Sequence, residues 1–414
     1  MPKFVDVVIH MQNNFNNTKM VIKTGHIDLN DLINQPAMIP FAEEVVAFLN
    51  ALSKEISQDP RARLYPDVAT FSFYCRKANI LQIKRKLNLE NEIKLGRGVV
   101  FHIAPSNVPV NFAYSLLAGL LSGNSNIVRI PSKNYAQVEI IIDSINTISE
   151  QGEHPLISRR IVLVSYDRSD SATKYLSSIC DVRIIWGGDE TIRQIRENIL
   201  QPRAFDITFS DRYSMCIINA DSYIHEPERE KVAMGFYNDT YLFDQNACTS
   251  PHLVVWMGTE ENVQQAQHEF WGSLQNIIKS NYKVQPVAAV DKMTSFFNQA
   301  IQMENIHLVP NENNLLWRVT LNELSSDIDD FRCTSGYFSE YHAKDLRELS
   351  TVINKKYQTL AYYGFPKQQL ENFIKQQKPI GIDRIVPIGR TTDFSLIWDG
   401  YNLINSLSRI IEIT

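Results

Sequence analysis

The chain has 414 residues, 44% of them hydrophobic and 21% charged, with a formal net charge of −5. Such a composition is that of a globular protein and excludes the collagen, disordered and disulfide-scaffold classes. The negative charge argues against a nucleic acid or an anionic membrane as the main partner. The length predicts two or three domains with a cleft between them, which favours an enzyme.

The sequence lacks several features, and their absence predicts the cellular compartment and whether a metal site is present. The longest apolar stretch, residues 112–121, is far shorter than the ~20 residues of a membrane-spanning helix, and the N-terminus carries no basic-then-apolar signal. The five cysteines are odd in number and include no CxxC pair, so the sequence predicts neither a disulfide framework nor a metal site. We expect a cytoplasmic protein with reduced thiols.

Strand and helix patterns alternate along most of the chain. Residues 4–10 are strand-like, and residues 40–57 and 80–89 are typical of helices. From residue 96 the alternation is regular, with strands predicted at 98–104, 126–130, 161–165, 182–186 and 207–209 and helices at 109–121, 135–149, 171–179 and 190–200. A second set follows, with strands at 215–219 and 253–257 and helices at 227–240 and 261–279.

This alternation predicts an α/β fold, with a Rossmann-type, mostly parallel sheet covered by helices on both faces and a second α/β domain. We place one domain at residues 1–214 and a second at residues 215–393. A C-terminal segment, residues 394–414, returns to the first domain or forms an oligomer interface. Because ligands of such sheets bind at the carboxyl ends of the strands, functional side chains are expected in the turns that follow them.

The turn at residues 104–109, with the sequence APSNVP, joins the first regular strand to its helix. Pro109 suits the first turn of a helix, where its missing N–H is not needed. Asn107 either projects its amide into the cleft or caps the N-terminus of the helix. The sequence leaves both interpretations open.

A second candidate region is the end of the strand at residues 126–130. Arg129 is placed there to neutralise a phosphate, and Ser132 either caps the next helix or bonds a ribose hydroxyl. A solvated strand edge is the alternative interpretation. No acidic residue follows at once, so nothing in this region rejects a 2′-phosphate.

Two further glycines, Gly187 and Gly188, join the strand at 182–186 to its helix. Glycines at such a turn allow a ligand to approach the backbone closely. The pattern is not a GxGxxG fingerprint, and the neighbouring Asp189 and Glu190 oppose tightly held phosphate.

Cys248 lies in the loop DQNACTSP, residues 244–251, between a predicted helix and a predicted strand. A thiol on a loop that enters a cleft is placed for nucleophilic attack as the thiolate. A buried structural cysteine is the alternative interpretation. Small neighbours, a loop position and polar company distinguish Cys248 from the other four cysteines.

Taken in order, the APSNVP turn, the GNSNIVRIPS strand end and the QNACTSP loop resemble the aldehyde dehydrogenase superfamily, and within it the LuxC-type acyl-CoA reductases. The likeness extends to WGGDE at residues 186–190 and to the aromatic stretch at 357–365. The resemblance implies an aldehyde-dehydrogenase-like fold, with residues 1–214 as the NADP(H)-binding domain and residues 215–393 as the catalytic domain that carries Cys248. It also implies the NADPH-dependent reduction of a fatty acyl thioester, acyl-CoA or acyl-protein, to the fatty aldehyde.

The resemblance assigns roles to individual residues. Cys248 matches the catalytic cysteine that carries the acyl group, and Asn107 matches the asparagine whose amide helps to form the oxyanion hole. Arg129 stands where the superfamily has a ribose-binding lysine, and Ser132 stands near the position whose acidic form selects NAD, so NADPH is implied. The residues assigned to cofactor binding are Pro105, Ser106, Arg129, Ser132, Gly187 and Gly188.

Two departures from the superfamily bear on the reaction. The ELGGK segment, which carries a glutamate general base in hydrolytic members, reads TFSDR at residues 208–212. A missing water-activating base suits a thioester reductase, because the acyl-enzyme must survive until the hydride arrives. The ExFGP segment is matched only loosely at residues 332–336, and no residue is assigned there.

Other functions stay open at this stage. A CoA-acylating short-chain aldehyde dehydrogenase or an acyl-phosphate reductase would share the fold, and a scaffold subunit would keep the fold without catalysis. Phe236, Tyr237, Tyr241 and Phe243 either line an acyl channel or form a helix core. By analogy with the family we expect acyl-activating and acyl-transferring partner proteins and a homo-oligomer, either a dimer or a tetramer.

Overall fold

The computed structural model describes residues 7–10, 19–24, 29–88, 92–167, 171–310 and 313–414. They form two compact units. The first contains the described residues up to Ser210 together with Tyr401–Thr414, and the second is Asp211–Gly400. No helix in these ranges is both long and apolar enough to cross a membrane.

The described part of the first unit is built on a seven-stranded sheet in the order β1-β2-β6-β5-β4-β7-β8. Its central strands β6, β5, β4, β7 and β8 are parallel, and β1 and β2 continue one edge in antiparallel fashion. The strands of this unit are β1 Val7–His10, β2 Lys19–Ile22, β3 Ile93–Gly96, β4 Val99–Ile103, β5 Ser125–Arg129, β6 Ile161–Ser165, β7 Val182–Trp186 and β8 Phe205–Phe209.

Helices connect these strands, as the alternating pattern predicts. Nine of the eleven residues of α5 are buried, because the helix is apolar on every side. Helix α6 ends at Gly152, whose φ of 71° is the left-handed conformation that favours glycine. The helices are α1 Leu29–Ile33, α2 Glu43–Gln58, α3 Pro66–Tyr74, α4 Lys77–Leu87, α5 Asn111–Leu121, α6 Ala136–Gln151, α7 Pro155–Ser158, α8 Ala172–Ile179 and α9 Asp189–Arg196.

Several predicted boundaries need correction. Helix α5 begins at Asn111 and not at Pro109, and α9 ends at Arg196, four residues earlier than predicted. Sequence patterns place element ends within a few residues, because frayed turns depend on tertiary contacts that a pattern does not contain. Residues 4–6 of the first predicted strand and Leu89 lie outside the described residues.

The second unit has another seven-stranded sheet among its described residues, in the order β11-β12-β13-β10-β9-β14-β15. All neighbouring strands are parallel except β11, which pairs with β12 in antiparallel fashion. The strands are β9 Tyr213–Asn219, β10 Pro251–Met257, β11 His307–Leu308, β12 Trp317–Leu321, β13 Tyr337–His342, β14 Tyr357–Tyr363 and β15 Arg384–Pro387, followed by β16 Ile397–Trp398. The next strand, β17 Tyr401–Asn402, belongs to the first unit.

The core of the second unit lies on both faces of its sheet. Along β9, Met215 and Ile217 point to one apolar cluster while Cys216 and Ile218 point to the other, because successive side chains of a strand alternate. Strands buried on both faces are typical of parallel sheets covered by helices. The helices are α10 Ala220–Tyr223, α11 Arg229–Thr240, α12 Glu260–Asn281, α13 Val287–Gln302 and α14 Lys367–Gln377.

The last described elements, α15 Leu403–Leu407 and β18 Ser408–Ile411, belong to the first unit. Strand β18 pairs with β3 in antiparallel fashion. The buried Asn124 side chain donates to the carbonyl oxygen of Leu407 at 2.9 Å and accepts from the N–H of Arg97 at 2.7 Å. Asn124 therefore fastens this segment to the turn that precedes β5.

Candidate functional site

A cavity of about 290 Å³ lies at the carboxyl ends of β4, β5 and β7 in the first unit. In the sheet, β5 and β6 lie on one side of β4, and β7 and β8 lie on its other side, so the strand order reverses at β4. Ligands of open parallel sheets bind at such a reversal. The cavity is lined by residues 103–107, 129–132 and 186–188, by Thr173 and by one face of α9.

The turn after β4 brings Pro105, Ser106 and Asn107 to this cavity. Because Val110 occupies the cap position of α5, the interpretation of Asn107 as a helix cap is wrong. The Asn107 side chain is exposed, and the hydroxyl of Tyr135 donates to the carbonyl oxygen of Ser106 at 3.0 Å. The turn thus presents an amide side chain to the cavity from a backbone that is fixed by a hydrogen bond.

Arg129 contributes the only charged side chain among the described residues that line the cavity. Its guanidinium lies 4.7 Å from the centroid of the Tyr166 ring and donates to the carbonyl oxygen of Tyr166 at 3.3 Å. Ser132 is exposed at the rim, and since α6 begins at Ala136 after Tyr135, the interpretation of Ser132 as its cap is wrong. A cation and a hydroxyl therefore share one end of the cavity.

Gly187 and Gly188 form the wall of the cavity between β7 and α9. A Cβ atom on Gly187 would lie 3.2 Å from Cγ2 of Thr191, which is a tight contact. Asp189 and Glu190 are exposed and do not line the cavity, and Glu190 is paired with Arg193. The two carboxylates therefore do not oppose a phosphate inside the cavity.

The chemistry of this cavity fits a nicotinamide dinucleotide. The lining offers one cation, amide and hydroxyl side chains and a glycine wall at the carboxyl ends of parallel strands. His102 in β4 takes no part, because its ring is buried between Ser115 and Asn126. Burial lowers the pKa of His102 to about 4, so the ring is a neutral structural group.

The cysteine loop lies in the second unit, between the turn Tyr241–Phe243 and the start of β10. Asp244 and Gln245 both have left-handed backbone conformations, with φ values of 52° and 61°. Their N–H groups donate to the carbonyl oxygens of Tyr241 and Thr240 at 3.1 and 2.7 Å, at the end of α11 and in the turn that follows it. The loop therefore depends on backbone conformations that residues other than glycine adopt only where contacts enforce them.

The side chain of Gln245 supplies those contacts. It is fully buried, and its Nε2 donates to the carbonyl oxygens of Pro251 and Tyr337 at 2.9 and 3.0 Å. Its Oε1 accepts from the N–H groups of Gly336 and Tyr337 at 3.0 and 3.2 Å. One amide thus satisfies four backbone groups and joins the cysteine loop to the start of β13.

Cys248 lies at the amino ends of the strands β9, β10 and β14. The hydroxyl of Ser214 donates to the carbonyl oxygen of Cys248 at 2.7 Å and accepts from the N–H of Thr359 at 3.2 Å. The hydroxyl of Ser250 donates to the carbonyl oxygen of Asp239 at 2.7 Å. Two hydroxyl groups therefore fix the loop, at Cys248 and at Ser250, near the amino ends of the strands, whereas the ends predicted from the sequence to bind ligands are the carboxyl ends.

Cys248 is partly exposed, whereas Cys75, Cys180, Cys216 and Cys333 are buried. Burial raises the pKa of the Cys248 thiol to about 11, and the carboxylate of Asp399 acts in the same direction. A hydrogen bond from Gln358 and the charges of Arg332 and Arg212 lower it. The thiol thus lies in a cluster of opposing charges, where the environment controls how much thiolate is present.

Other residues of this unit have structural roles. Phe236, Tyr237 and Tyr241 are buried in the apolar core, so the interpretation of these three as an acyl channel is wrong. His252 is also buried, stacked on Tyr213, and burial together with the charge of Arg332 lowers its pKa to about 3. It is therefore neutral at neutral pH.

Sequence reasoning missed the residues that surround the thiol. Arg332, Gln358 and Asp399 lie 84, 110 and 151 residues after Cys248 in the chain, and no local pattern connects them. A weak signal exists for Asp399, since the Asp399–Gly400 pair between β16 and β17 is the preferred sequence of a tight hairpin turn. Only the fold brings these side chains to the cysteine.

The fold is similar to that of solved aldehyde dehydrogenases. Aldehyde dehydrogenase 21 from Physcomitrella patens matches with a TM-score of 0.63 and 12% identity, covering 99% of this chain and 94% of that one. The NAD-dependent benzaldehyde dehydrogenase from Corynebacterium glutamicum matches with a TM-score of 0.60 and 14% identity, covering 90% and 85%. The predicted aldehyde-dehydrogenase-like fold is confirmed.

Two curated relatives are similar in sequence. The long-chain acyl-protein thioester reductase of Aliivibrio fischeri is 24% identical over 305 residues, which are 72% of this chain and 60% of the relative. The long-chain acyl-protein thioester reductase 2 of Photobacterium leiognathi is 29% identical over 167 residues, 40% of this chain and 33% of the relative. The chain therefore matches less than two thirds of the length of either relative.

A family model also matches most of the chain. The model described as acyl-CoA reductase (LuxC) matches residues 76–410, which include the cavity of the first unit and the cysteine loop of the second. The match covers most of the chain and agrees with the resemblance noted in the sequence. This chain belongs to the acyl-CoA reductase (LuxC) family.

Proposed function

We propose that this chain reduces a fatty acyl thioester to the fatty aldehyde, with NADPH as hydride donor and Cys248 as the residue that carries the acyl group. The family and the names of the relatives, which are long-chain acyl-protein thioester reductases, support this class of substrate. The proposal assigns cofactor binding to the first unit and acyl transfer to the second. Acyl-CoA and acyl-protein are both thioesters and are both candidate donors.

The observation that carries the proposal is the setting of Cys248. It is the partly exposed cysteine among five, on a loop that Gln245 and Ser214 hold in place through buried hydrogen bonds. A purely structural thiol needs neither exposure nor charged neighbours. A loop fixed in this way keeps the sulfur in one position for attack on an electrophile.

Acyl transfer follows from the chemistry of the thiol. The Cys248 sulfur, as thiolate, attacks the acyl carbon, a new S–C bond forms, and the bond between that carbon and the donor sulfur breaks. The donor leaves as a thiolate and takes up a proton. We assign to Asn107 the role that the resemblance implies, a hydrogen bond to the oxyanion that develops on the acyl oxygen.

The second half of the reaction uses the first unit. When bound, the reduced nicotinamide supplies the hydride that turns the acyl-cysteine into a thiohemiacetal, whose collapse releases the aldehyde and the Cys248 thiolate. Arg129 and Ser132 would hold the adenosine ribose and its 2′-phosphate. Gly187 and Gly188 would admit the cofactor close to the backbone, beside Pro105 and Ser106.

The test is the intact mass of the protein after incubation with a series of acyl-CoAs, with and without NADPH. We expect an acyl adduct in the wild type and none in Cys248→Ser, and we expect NADPH to remove the adduct with release of aldehyde. An adduct that persists with NADPH but disappears with phosphate would indicate a different acyl acceptor reaction. An adduct of equal yield in Cys248→Ser would refute the assignment of the nucleophile.

A further inference from the structure

Gln358 is a buried polar side chain that bears on how the Cys248 thiolate forms. It is the second residue of β14 and only 2% exposed. The Ser214 hydroxyl connects the next residue, Thr359, to the backbone of Cys248. These two hydrogen bonds keep the start of β14, where its pairing with β9 is irregular, next to the backbone of Cys248, and the Gln358 side chain is among the groups that lower the pKa of the thiol.

The hydrogen bonds of the Gln358 amide distinguish its two ends. Nε2 donates to Oδ1 of Asp399, and Oε1 accepts from the hydroxyl of Thr359 at 3.5 Å. An ionised carboxylate only accepts hydrogen bonds, so Asp399 selects the orientation with Nε2 toward itself. The second N–H of Nε2 is then available for the sulfur of Cys248.

Asp399 is fixed by the backbone of a tight turn. Its φ is 47°, and that of Gly400 is 75°, the two left-handed conformations of a hairpin turn. Burial raises the pKa of the Asp399 carboxyl, whereas the charge of Arg212, which is paired with Asp383, and the hydrogen bond from Gln358 lower it. A protonated Asp399 would carry an O–H donor as well as an acceptor. It could then bond either end of the Gln358 amide and would no longer fix the orientation of that amide.

We propose that Gln358 is a further catalytic residue, which donates a hydrogen bond from Nε2 to the Cys248 thiolate, and that Asp399 is the positioning residue that keeps Nε2 facing the sulfur. The assignment rests on the proposed function only in taking Cys248 as the nucleophile. The donor favours the thiolate over the thiol, and it also stabilises the same sulfur when it is regenerated at the end of the cycle.

Charge and orientation act in opposite directions at Asp399. Its negative charge disfavours the nearby thiolate, and Arg212, Arg332 and Arg384 are the cations whose charges also reach the sulfur. The orienting effect of Asp399 acts through Gln358 and favours the thiolate. The two effects can therefore be separated by variants that remove the charge with and without the acceptor.

The first experiment measures the rate of Cys248 alkylation by iodoacetamide at pH 8, by peptide mass, with no acyl substrate present. Replacing Gln358 with the similarly sized apolar residue in Gln358→Met removes the donor, and loss of a hydrogen bond to a charged group lowers the thiolate population about tenfold. A thiolate whose thiol has a higher pKa is more nucleophilic, and this higher reactivity offsets about half of the tenfold loss on a logarithmic scale. We expect a net three- to fourfold slower reaction.

A matched control uses Gln299, another fully buried glutamine of the same unit. Its side chain accepts from the hydroxyl of Tyr337 at 2.7 Å and donates to Ser339 at 3.2 Å, in the apolar core. Gln299→Met removes a buried amide of the same kind without removing the donor at the thiol. We expect its alkylation rate to stay within twofold of the wild type.

The second experiment separates orientation from charge with Asp399→Asn and Asp399→Gly. Both remove the charge and both tolerate the left-handed backbone, but only asparagine retains an acceptor for Nε2. We expect Asp399→Asn to be alkylated at least twofold faster than Asp399→Gly. In the Gln358→Met background the two Asp399 variants should be alkylated at equal rates, because the amide that donates to the acceptor at position 399 is absent.

These outcomes decide the proposal independently of the reductase reaction. Equal rates for wild type and Gln358→Met, or a difference between the two Asp399 variants that persists in the Gln358→Met background, would overturn it. If alkylation behaves as expected while no acyl-CoA gives an adduct, the thiolate device stands and the proposed substrate fails. If adducts form and turn over with unchanged alkylation in Gln358→Met, the proposed function stands and this inference fails.

Discussion

Acyl transfer to Cys248 should depend steeply on pH. The thiol is neutral and the thiolate is charged, so burial raises the pKa of Cys248 to about 11, against the smaller opposing effects of Gln358, Arg332 and Arg212. With that pKa the thiolate fraction is roughly 10⁻⁴ at pH 7 and roughly 10⁻² at pH 9. We expect the acylation rate to rise about a hundredfold between these pH values, with a slope near one and no plateau.

The assay is rapid quenching of the protein with an excess of acyl-CoA in the absence of NADPH, followed by intact mass at half-unit steps from pH 6.5 to 9.5. Cys248→Ser supplies the background of spontaneous acylation at each pH, and circular dichroism checks that the fold persists at the upper limit. A plateau below pH 8 would refute the reasoning, because it would mean that the cations and Gln358 outweigh burial and that the thiolate already forms at neutral pH.

Three further changes test other parts of the molecule. Asn107→Ala should lower turnover by roughly 10² to 10³ if the amide binds the oxyanion, and unchanged turnover with saturating substrate would remove that role. Arg129→Glu should weaken NADPH binding, measured by nucleotide fluorescence, at least tenfold more than NADH binding, since it opposes the 2′-phosphate; equal weakening would argue against that contact. Gln245→Leu leaves the N–H groups of Gly336 and Tyr337 without their acceptor, and urea unfolding should show a loss of about 3 kcal/mol; a loss below about 1 kcal/mol would mean that the loop is held by other contacts.

The sequence predicts the elements of the fold well where periodicity is strong. The strands β6 and β7 begin and end at the predicted residues, Ile161–Ser165 and Val182–Trp186, because each is a short run of apolar residues between polar turns. For residues 281–393 the sequence pattern predicts almost no elements. There β12 and β13 alternate or mix polar and apolar residues, and their pairing involves strands distant in the chain.

The candidate site divides in the same way. The turn residues Asn107, Ser132 and Gly187 line the cavity because every turn that follows a parallel strand lies at the carboxyl end of the sheet. The local sequence pattern is therefore enough to predict their position. Gln358 and Asp399 reach Cys248 through strand order and a hairpin turn, which depend on the packing of the whole sheet. The Cys248 loop lies before β10, between a helix and a strand as predicted, whereas the general rule for parallel sheets points to the turns that follow strands.

Along the chain, the second unit is inserted between the two parts of the first unit. A ribosome completes Asp211–Gly400 as one continuous piece before it reaches Ser408–Ile411, the strand that pairs with β3. The interrupted unit must therefore wait for residues made some two hundred positions later, and its edge at β3 stays without that partner while the inserted unit folds. Removal of the residues after Tyr401 should accordingly destabilise the first unit, which contains the cavity, although most of that unit is distant in sequence. It should leave the second unit with its cysteine loop folded, although that unit is nearer in sequence to the removed residues.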